Sequence, residues 1–234
     1  MPDRTSYSTT APTTTPRPRS DMQTEQRHRL FFEFSIEGDL RFISHHDTMR
    51  LFRRACARAD LPLHFSQGFN PQPRIMLPLP RPVGVASTAE ALIIEFDKPI
   101  EPPDALARLR AQMPGGIELT GARPLAAGER PAPDRVDYRL ELDQHDVPDL
   151  DRRIQGIMDA DHLRIDRVNP KDGSVRAIDA RPYLIAMKPR DGAVEFTVRV
   201  TADGSVKPAE VAGLFGFDPR YVNHRIRRLE VQWK

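Results

Sequence analysis

The hydrophobic residues of this chain fall into short runs, and two of the runs in the first half have strand character. Residues 30–36 (LFFEFSI) and 90–96 (EALIIEF) are rich in aromatic and branched side chains, which is typical of strands. Residues 40–43 are predicted to extend the first strand or to pair back on it. Between the two strands, apolar residues at helical spacing predict a helix at 45–59 with Ser44 as its N-cap. The buried stripe of this helix is predicted to contain Met49, Phe52, Cys56 and Ala59.

The runs that follow complete a β-α-β-β-α-β order within the first 124 residues. The further elements of this half are predicted as a strand at 74–79, a helix at 102–113 and a strand at 117–123. A similar order follows, with an additional hairpin around residues 169–173. Its elements are predicted as strands at 136–142, 163–168, 174–178, 183–187, 194–200 and 222–233, and helices at 147–160 and 207–215. The repeated order predicts an α+β protein of two tandem ferredoxin-like (βαββαβ) domains with mainly antiparallel sheets.

Composition predicts the domain boundaries. Residues 1–26 are dominated by Ser, Thr and Pro and are predicted to be a disordered tail, without the apolar segment of a secretory signal. The first domain is predicted at 27–124, a Pro/Ala/Gly-rich linker at 125–134 and the second domain at 135–234. No run approaches the roughly 18 apolar residues of a membrane helix. We therefore expect a cytoplasmic protein with no membrane partner.

The cysteine count limits the chemistry of the chain. One cysteine, Cys56, is present among 234 residues. A disulfide framework and a cysteine-ligated iron–sulfur cluster are therefore excluded, because each needs more than one thiol. The net charge is only +2, so composition alone does not indicate nucleic acid, and the distribution of the arginines matters more. No cofactor and no metal are predicted.

Arginines recur at four-residue spacing along the helix predicted at 45–59. Arg50, Arg54 and Arg58 therefore share one helical face. Each guanidinium group is able to form a paired hydrogen bond with a phosphate. The alternative is a solvated face, or salt bridges to nearby carboxylates such as Asp47. Both interpretations are compatible with the sequence.

Residues 66–74 (SQGFNPQPR) form a polar loop that no hydrophobic pattern requires. Asn70 and Gln72 each precede a proline, which favours an extended, stiff backbone, and Gly68 is expected to take a positive φ. The loop is either a recognition loop or a structural crossover pinned by the packing of Phe69. Its length favours recognition. The predicted nucleic-acid- or partner-binding residues are Arg50, Arg54, Arg58, Gln67, Gly68, Phe69, Asn70 and Arg74.

A second group of polar residues lies at the start of the helix and in the following loop. Its members, a candidate polar site, are Ser44, His45, His46, Asp47 and Ser66. Adjacent residues in a first helical turn diverge by about 100°, so His45 and His46 cannot easily hold one ion, and Asp47 is explained by capping. A nucleophilic site that uses His64 and Ser66 lacks an identifiable orienting group.

Two polar residues stand out in the second half. Asp179 and Arg181 are two positions apart on a segment predicted to be extended, so they face the same side. The expected role is an ion pair, either within the sheet or to the other domain.

The last predicted strand is basic on both faces. One face carries Asn223, Arg225 and Arg227, and the other carries His224, Ile226 and Arg228. The segment, with His224 and Arg225 as its candidate site residues, either continues a phosphate track or forms a charged edge that prevents strand pairing.

Several stretches of the chain resemble motifs of a known family. Residues 41–47 (RFISHHD), 66–71 (SQGFNP) and 179–183 (DARPY), with His224-Arg225, are similar to the radical-SAM-linked proteins. These uncharacterised proteins are found beside, or fused to the end of, a radical-SAM enzyme. The family pattern has Leu and His at the positions that His46 and Gln72 occupy here, so a loop histidine is not essential in this chain. The resemblance implies a radical-SAM enzyme as partner, but supplies no activity.

Together these inferences predict a non-catalytic companion of a radical-SAM enzyme that binds or presents substrate. Basic residues interleaved with aromatic ones favour RNA as the substrate, in RNA modification or ribosome-related metabolism. One alternative is a protein-only adaptor that docks the enzyme through Phe69 as an aromatic anchor. The other is a hydrolase or transferase that uses His45, Asp47, His64 or Ser66.

Overall fold

A computed structural model describes residues 28–143, 147–169 and 172–234 of the chain. The predicted disordered tail lies outside the described residues, as does the tip of the predicted hairpin at 169–173. Strands β1 to β10 span His28–Ile36, Ile75–Met76, Ala86–Phe96, Ile117–Pro124, Pro133–Glu141, Arg164–Val168, Val175–Asp179, Leu184–Arg190, Ala193–Arg199 and Ile226–Trp233. Helices α1 to α4 span His45–Arg58, Pro102–Arg110, Leu150–Asp159 and Pro208–Gly213. Short 3₁₀ helices cover Gly38–Phe42, Arg181–Tyr183 and Val222–Arg225.

Eight of the strands form one sheet in the order β4-β1-β3-β10-β5-β9-β8, with β2 paired to β3, while β6 and β7 form a separate hairpin. All pairs are antiparallel except β3 with β10. The protein is therefore a mixed α+β structure with a mostly antiparallel sheet, which confirms the predicted fold class at this level. The strand order in the first half is β4-β1-β3-β2, and the order in the second half, β10-β5-β9-β8, repeats it.

The two halves meet where β10 pairs with the start of β3. Strand β2 is only two residues long and pairs with the end of β3, at Ile93 and Ile94. The edge of β3 at Ala86 and Ser87 is consequently available to β10. A short second strand in the first half thus allows one sheet to continue through both halves. The division into two domains stays a prediction.

A buried ion pair joins the halves at this junction. Arg228 of β10 is 1% exposed and Glu90 of β3 is 5% exposed, and their Nη1 and Oε1 atoms lie 2.7 Å apart. Burial disfavours the Arg228 cation, but Glu90 and the ring of Tyr138 outweigh it, so the pKa of Arg228 is raised. Removing one partner would leave an uncompensated buried charge, which typically costs about 3–5 kcal/mol.

The helices cover the same side of the sheet in both halves. In the first half, alternate residues of β1 pack on the stripe of α1, with the rings of Phe34 and Phe52 4.9 Å apart. In the second half, alternate residues of β5 and β9 pack on α3, with Tyr138 stacked on Phe196 at 5.5 Å. Arg228 links these cores, since it packs on Tyr138 and binds Glu90. The four predicted stripe residues of α1 are all buried: Met49, Phe52, Cys56 and Ala59.

The other side of the sheet, called here the open face, carries a small apolar cluster in the first half. Phe31, Ile93 and Leu125 are buried there, and Trp233 packs edge-on against Phe31 at 5.5 Å. The segment 125–132 lies over this cluster and is tied down by Arg29, which donates to the carbonyls of residues 126 and 129. Part of the predicted linker is therefore packed on the sheet, and β5 begins within it.

Two predicted strand boundaries are wrong. Residues 40–43 do not extend β1, because Gly38 takes a φ of +57°, which ends the extended backbone, and a 3₁₀ helix follows. The last strand begins at Ile226 rather than at residue 222. Val222 is drawn into the second core, and the preceding chain turns as 3₁₀ helix. Alternating polarity at both places gave a strand pattern that tertiary contacts override.

Candidate binding surface

Helix α1 begins with a cap that accounts for two of the candidate polar residues. Ser44 Oγ accepts a hydrogen bond from the backbone N–H of Asp47 at 3.1 Å, and the Ser44 hydroxyl donates to Asp47 Oδ2 at 2.7 Å. The hydrogen bond from Ser44, supported by the charge of Arg50, lowers the pKa of Asp47. The predicted cap is confirmed, and the structure gives both residues a role in folding.

The two histidines at the start of α1 point to different surroundings. The ring of His45 lines a small cavity together with Thr48, Arg81 and Glu90, and its Nδ1 atom is buried without a hydrogen-bond partner among the described residues. His46 is exposed, and the two ring centroids are 5.8 Å apart. His45 therefore belongs to the junction between the halves, while His46 faces solvent.

His64 and Ser66 make their contacts away from that helix end. The Nδ1 atom of His64 lies 2.6 Å from Oδ1 of Asp97. Ser66 Oγ accepts a hydrogen bond from the backbone N–H of Gln72 at 3.0 Å. Asp97 was not predicted, since it follows His64 by 33 positions and no local pattern connects them. The structure brings neither His64 nor Ser66 into hydrogen-bond contact with His45 or Asp47.

The arginines of the α1 face do not act alike. Arg50 forms an exposed ion pair with Asp47 at 3.2 Å, as the solvated-face alternative expects. Arg58 donates to the backbone carbonyl of Gln112 at 2.8 Å and to its side chain at 3.2 Å, which ties α1 to the segment after α2. Arg54 is exposed and makes no hydrogen bond or ion pair with any described residue. Arg54 is therefore the member of this face whose charge is free for a ligand.

The polar loop is closed at its base and fixed to α1. Ser66 N donates to the carbonyl of Gln72 at 2.8 Å, and Gln72 N donates to Ser66 Oγ. The Gln72 side chain accepts from Arg53 Nη1 at 3.2 Å and donates to Asn70 at 3.2 Å. Arg53 was missed by the sequence argument. Its position one turn before Cys56 on the flank of the buried stripe was the available signal.

The tip of the loop faces solvent. Phe69 is fully exposed, so the alternative in which its packing pins the loop is wrong. Gly68 takes a φ of +131°, which confirms the predicted positive φ. Gln67, Asn70 and Arg74 are exposed as well. The loop is thus braced at its base while its aromatic and amide side chains are presented outwards.

Charge is concentrated around this loop. Residues 44–76 contain five arginines and two aspartates, a net charge of +3, whereas the whole chain carries +2. The arginines are Arg50, Arg53, Arg54, Arg58 and Arg74. Phe65, just before the loop, and Met76 of β2, just after it, add exposed apolar area. We call the exposed parts of α1 and the loop 66–74 the arginine–phenylalanine surface.

The candidate pair of the second half is structural. Arg181 lies in a 3₁₀ helix rather than in an extended segment, so the prediction that it faces the same side as Asp179 and forms an ion pair is wrong. Its guanidinium nitrogens donate to three backbone carbonyls, those of Met158, Ala160 and Leu184, at 2.8–3.1 Å. Asp179 instead accepts from the ring of His162 and from two backbone N–H groups.

The basic segment near the C-terminus is also turned differently from the prediction. Asn223, His224 and Arg225 lie in the 3₁₀ helix before β10, so the assignment of alternate faces to them is wrong. His224 Nδ1 lies 2.7 Å from the carbonyl of Tyr221, and Arg225 pairs with Asp143 at 2.7 Å. The His224 contact holds the turn before β10, and the Arg225 ion pair links this turn to the residues that follow β5.

A comparison with protein families identifies the family to which the chain belongs. Residues 29–208 match the family described as "Uncharacterized protein conserved in bacteria (DUF2344)". The chain belongs to this family. The DUF2344 match includes α1, the loop 66–74 and the segment that contains Asp179 and Arg181. It ends before the 3₁₀ helix that contains His224. No curated protein matches the chain.

Among solved structures, the chain is similar to the crystal structure of the first two RRM domains of yeast poly(U) binding protein (Pub1). The sequence identity is 12%, with 88% of this chain and 98% of that chain covered, and the TM-score is 0.19. A TM-score of this size does not indicate a shared fold.

Two further findings concern the described part of this DUF2344 protein. None of its described helices is long and apolar enough to cross a membrane. Within the same ranges, no group of three or more His, Cys, Asp or Glu side chains is arranged to hold a metal ion.

Proposed function

We propose that this protein is a non-catalytic companion of a radical-SAM enzyme and that it binds RNA through the arginine–phenylalanine surface. The observation that carries the proposal is the exposure of Phe69 on a braced loop that also carries Arg74 and is fixed to α1, the helix that carries Arg54. An aromatic ring held out in solvent offers a stacking platform for an unpaired base, worth about 1–3 kcal/mol per base. The nearby guanidinium groups suit the phosphates between such bases.

The local charge favours RNA over a protein ligand. A protein-only adaptor would also use Phe69 as an anchor, but the surface has an excess of arginine and only two aspartates in 33 residues. Exposed amides of Gln67 and Asn70 add hydrogen-bonding groups of the kind that read base edges. An enzyme that uses Ser66 has less support, because its Oγ serves the loop and does not contact His64.

The radical-SAM partner rests on the resemblance of the motif stretches to the radical-SAM-linked proteins. A radical-SAM cluster needs three cysteine thiolates, and this sequence has one cysteine. Cys56 is fully buried, and burial raises the pKa of its thiol to about 12. Cluster chemistry would accordingly belong to the partner. A single buried thiol fits a reducing compartment, and we infer a cytoplasmic location.

We also infer that each half of the chain is a ferredoxin-like unit. Both halves have the strand order 4-1-3-2 with antiparallel neighbours and two helices on one side. The hairpin β6–β7 is then an insertion in the second unit. In this arrangement the arginine–phenylalanine surface is formed by the first helix of the first unit and by the connection from that helix to the second strand.

The test measures binding of single-stranded oligoribonucleotides to the full chain as a function of salt. Contacts from Arg54 and Arg74 predict a slope of log K against log salt of about −1.4, at about 0.7 per phosphate. The double variant Arg54→Gln, Arg74→Gln should flatten the slope by about 1.4, whereas Arg152→Gln, an exposed arginine on α3, should not change it.

A second variant tests stacking. Phe69→Ala should weaken RNA binding about 5- to 150-fold, and Tyr221→Ala, an exposed aromatic residue on a different loop, should have little effect. Absence of salt-sensitive binding would refute the RNA part of the proposal. If a radical-SAM enzyme from the source cell co-purifies with the chain and Phe69→Ala disrupts that complex without any RNA, the adaptor alternative is correct.

A further inference from the structure

The open face of the second half is lined by charged side chains. Along β5, Arg135, Asp137 and Arg139 point to this face and alternate with Val136 and Tyr138, which are buried under the helices. Thr197 and the charged residues of β9, Glu195 and Arg199, lie opposite them. The face therefore forms a two-dimensional array in which each charge has defined cross-strand neighbours.

Two pairs of arginines are direct cross-strand neighbours in this array. Like charges placed opposite each other destabilise a sheet unless opposite charges compensate them. The first pair, Arg139 and Arg227, is compensated. Arg139 binds Glu141 at 2.8 Å and Glu195 at 3.5 Å, and Arg227 binds Glu37. The hydrogen bond that Arg139 donates to Glu141 is the main reason that the pKa of Arg139 is raised.

The second pair, Arg135 and Arg199, lacks such compensation. Arg135 lies 3.5 Å from Asp134, and that carboxylate also binds Lys234 at 3.4 Å. Arg199 is exposed and makes no side-chain hydrogen bond or ion pair with any residue in the described ranges. Among the described residues, only the carboxylate of Asp134 forms an ion pair with either of these two guanidinium groups, whereas three carboxylates pair with the first two arginines.

On the open face, a row of neighbouring side chains connects the second arginine pair with β2, the strand that follows the loop 66–74. Met76 of β2 is exposed and is the strand neighbour of Ile93, whose other neighbour is Phe31. Trp233 packs on Phe31. The residue before Trp233, Gln232, is the strand neighbour of Arg135. A connected row of side chains therefore leads from β2 beside the loop to the second arginine pair.

We propose that Arg135 and Arg199 bind a phosphate group on the open face. Two guanidinium groups can each present a planar pair of N–H donors to the oxygens of one phosphate, and its negative charge would offset the repulsion between them. The chemistry fits either an RNA backbone phosphate or a free phosphate. The first source rests on the proposed function, and the second does not.

The test follows the side-chain Nε–H signals of the arginines by NMR while inorganic phosphate is added to the full chain. Phosphate should shift the signals of Arg135 and Arg199 and leave that of Arg190 unchanged, since Arg190 has two carboxylate partners of its own, Glu195 at 3.5 Å and Asp191 at 3.9 Å. Arg199→Gln should reduce the phosphate affinity at least fivefold, and the matched Arg190→Gln should not. Arg199→Gln should also leave the melting temperature unchanged or raise it, because it removes a repulsion.

A parallel titration with single-stranded RNA and with an oligonucleotide of neutral methylphosphonate backbone separates the two sources. If RNA is the source, RNA shifts both signals, the neutral analogue does not, and Arg199→Gln lowers the salt slope by about 0.7. If inorganic phosphate shifts the two signals and RNA does not bind, the phosphate site stands and the proposed RNA function fails. The inference is overturned if neither phosphate nor RNA shifts the two signals, or if Arg190→Gln has the same effect as Arg199→Gln.

Discussion

The two halves of the molecule elaborate the same connection in opposite ways. In each half the enlarged segment lies between the first helix and the second strand of the repeated order, at 59–74 in one and at 160–183 in the other. In the second half the polar groups turn inwards, as with Arg181, whose three nitrogens all bind backbone carbonyls. In the first half Phe69 and Arg74 turn outwards. Similar polar motifs therefore differ in function according to where their hydrogen bonds go.

The largest effect should come from removing the inward-facing arginine. Arg181→Met leaves the carbonyls of Met158, Ala160 and Leu184 without their charged donor, and we expect a loss of about 2–4 kcal/mol in the free energy of unfolding. Arg74→Met, at an exposed position of the first connection, should change it by no more than about 0.5 kcal/mol. Urea unfolding of both variants measures the difference. Equal effects would remove the distinction between the two connections.

A smaller effect is expected at Asp179, and it depends on pH. The hydrogen bond from His162, followed by those from the N–H groups of Leu163 and Arg181, lowers the pKa of Asp179 from 3.8 to about 2. The carboxylate therefore stabilises the fold fully above pH 3.8, and this contribution disappears as the pH falls through about 2. The melting temperature of Asp179→Asn should lie below that of the wild type at pH 5 and approach it towards pH 2.

The control for this pH dependence is Asp151→Asn, at an exposed position of α3. This variant removes the same charge but keeps the hydrogen bonds of Asp179. The difference between its melting temperature and that of the wild type should therefore not disappear towards pH 2 in the same way. A constant gap between Asp179→Asn and the wild type from pH 5 to pH 2 would contradict the assigned role of the carboxylate.

The sequence predicted the elements that local patterns determine. The cap at Ser44, the buried stripe of α1 and the strands that became β1 and β3 follow from periodicity and from side-chain hydrogen bonds three residues apart. The pairing of β10 with β3 is not encoded locally, because it depends on the shortness of β2. The burial of Arg228 follows from that pairing, so a residue predicted for a charged strand became part of the core.

The candidate site was predictable to a similar extent. The exposure of the loop followed from its composition, and Phe69 and Arg74 were correctly placed on it. The different contacts of the α1 arginines were not predictable, because Arg58 donates a hydrogen bond to Gln112, a residue 54 positions away. Likewise, nothing near Arg181 in the sequence shows that three carbonyls converge on its side chain.

A still smaller effect on stability is expected when the brace of the outward-facing loop is cut. Gln72→Ala removes the hydrogen bonds to Arg53 and Asn70 but keeps the backbone bonds to Ser66, so the free energy of unfolding should fall by less than about 1 kcal/mol. Backbone NMR order parameters of residues 66–72 should decrease, and RNA affinity should fall a few-fold because the ordered loop is lost. Gln67→Ala in the same loop, whose side chain has no hydrogen-bond partner among the described residues, should change neither the free energy of unfolding nor the order parameters.

The smallest effect on stability belongs to Phe69 itself. Its ring buries no area against the rest of the described structure, so its truncation to Ala removes no apolar transfer free energy, and the free energy of unfolding should change by less than about 0.5 kcal/mol. Phe52→Ala, in the core under β1, should cost about 3–5 kcal/mol in the same urea titration. A substantial destabilisation by Phe69→Ala would mean that the ring packs on the protein in solution, and the first connection would then be structural like the second. An unchanged stability combined with weakened RNA binding would instead assign the side chain of Phe69 to recognition alone.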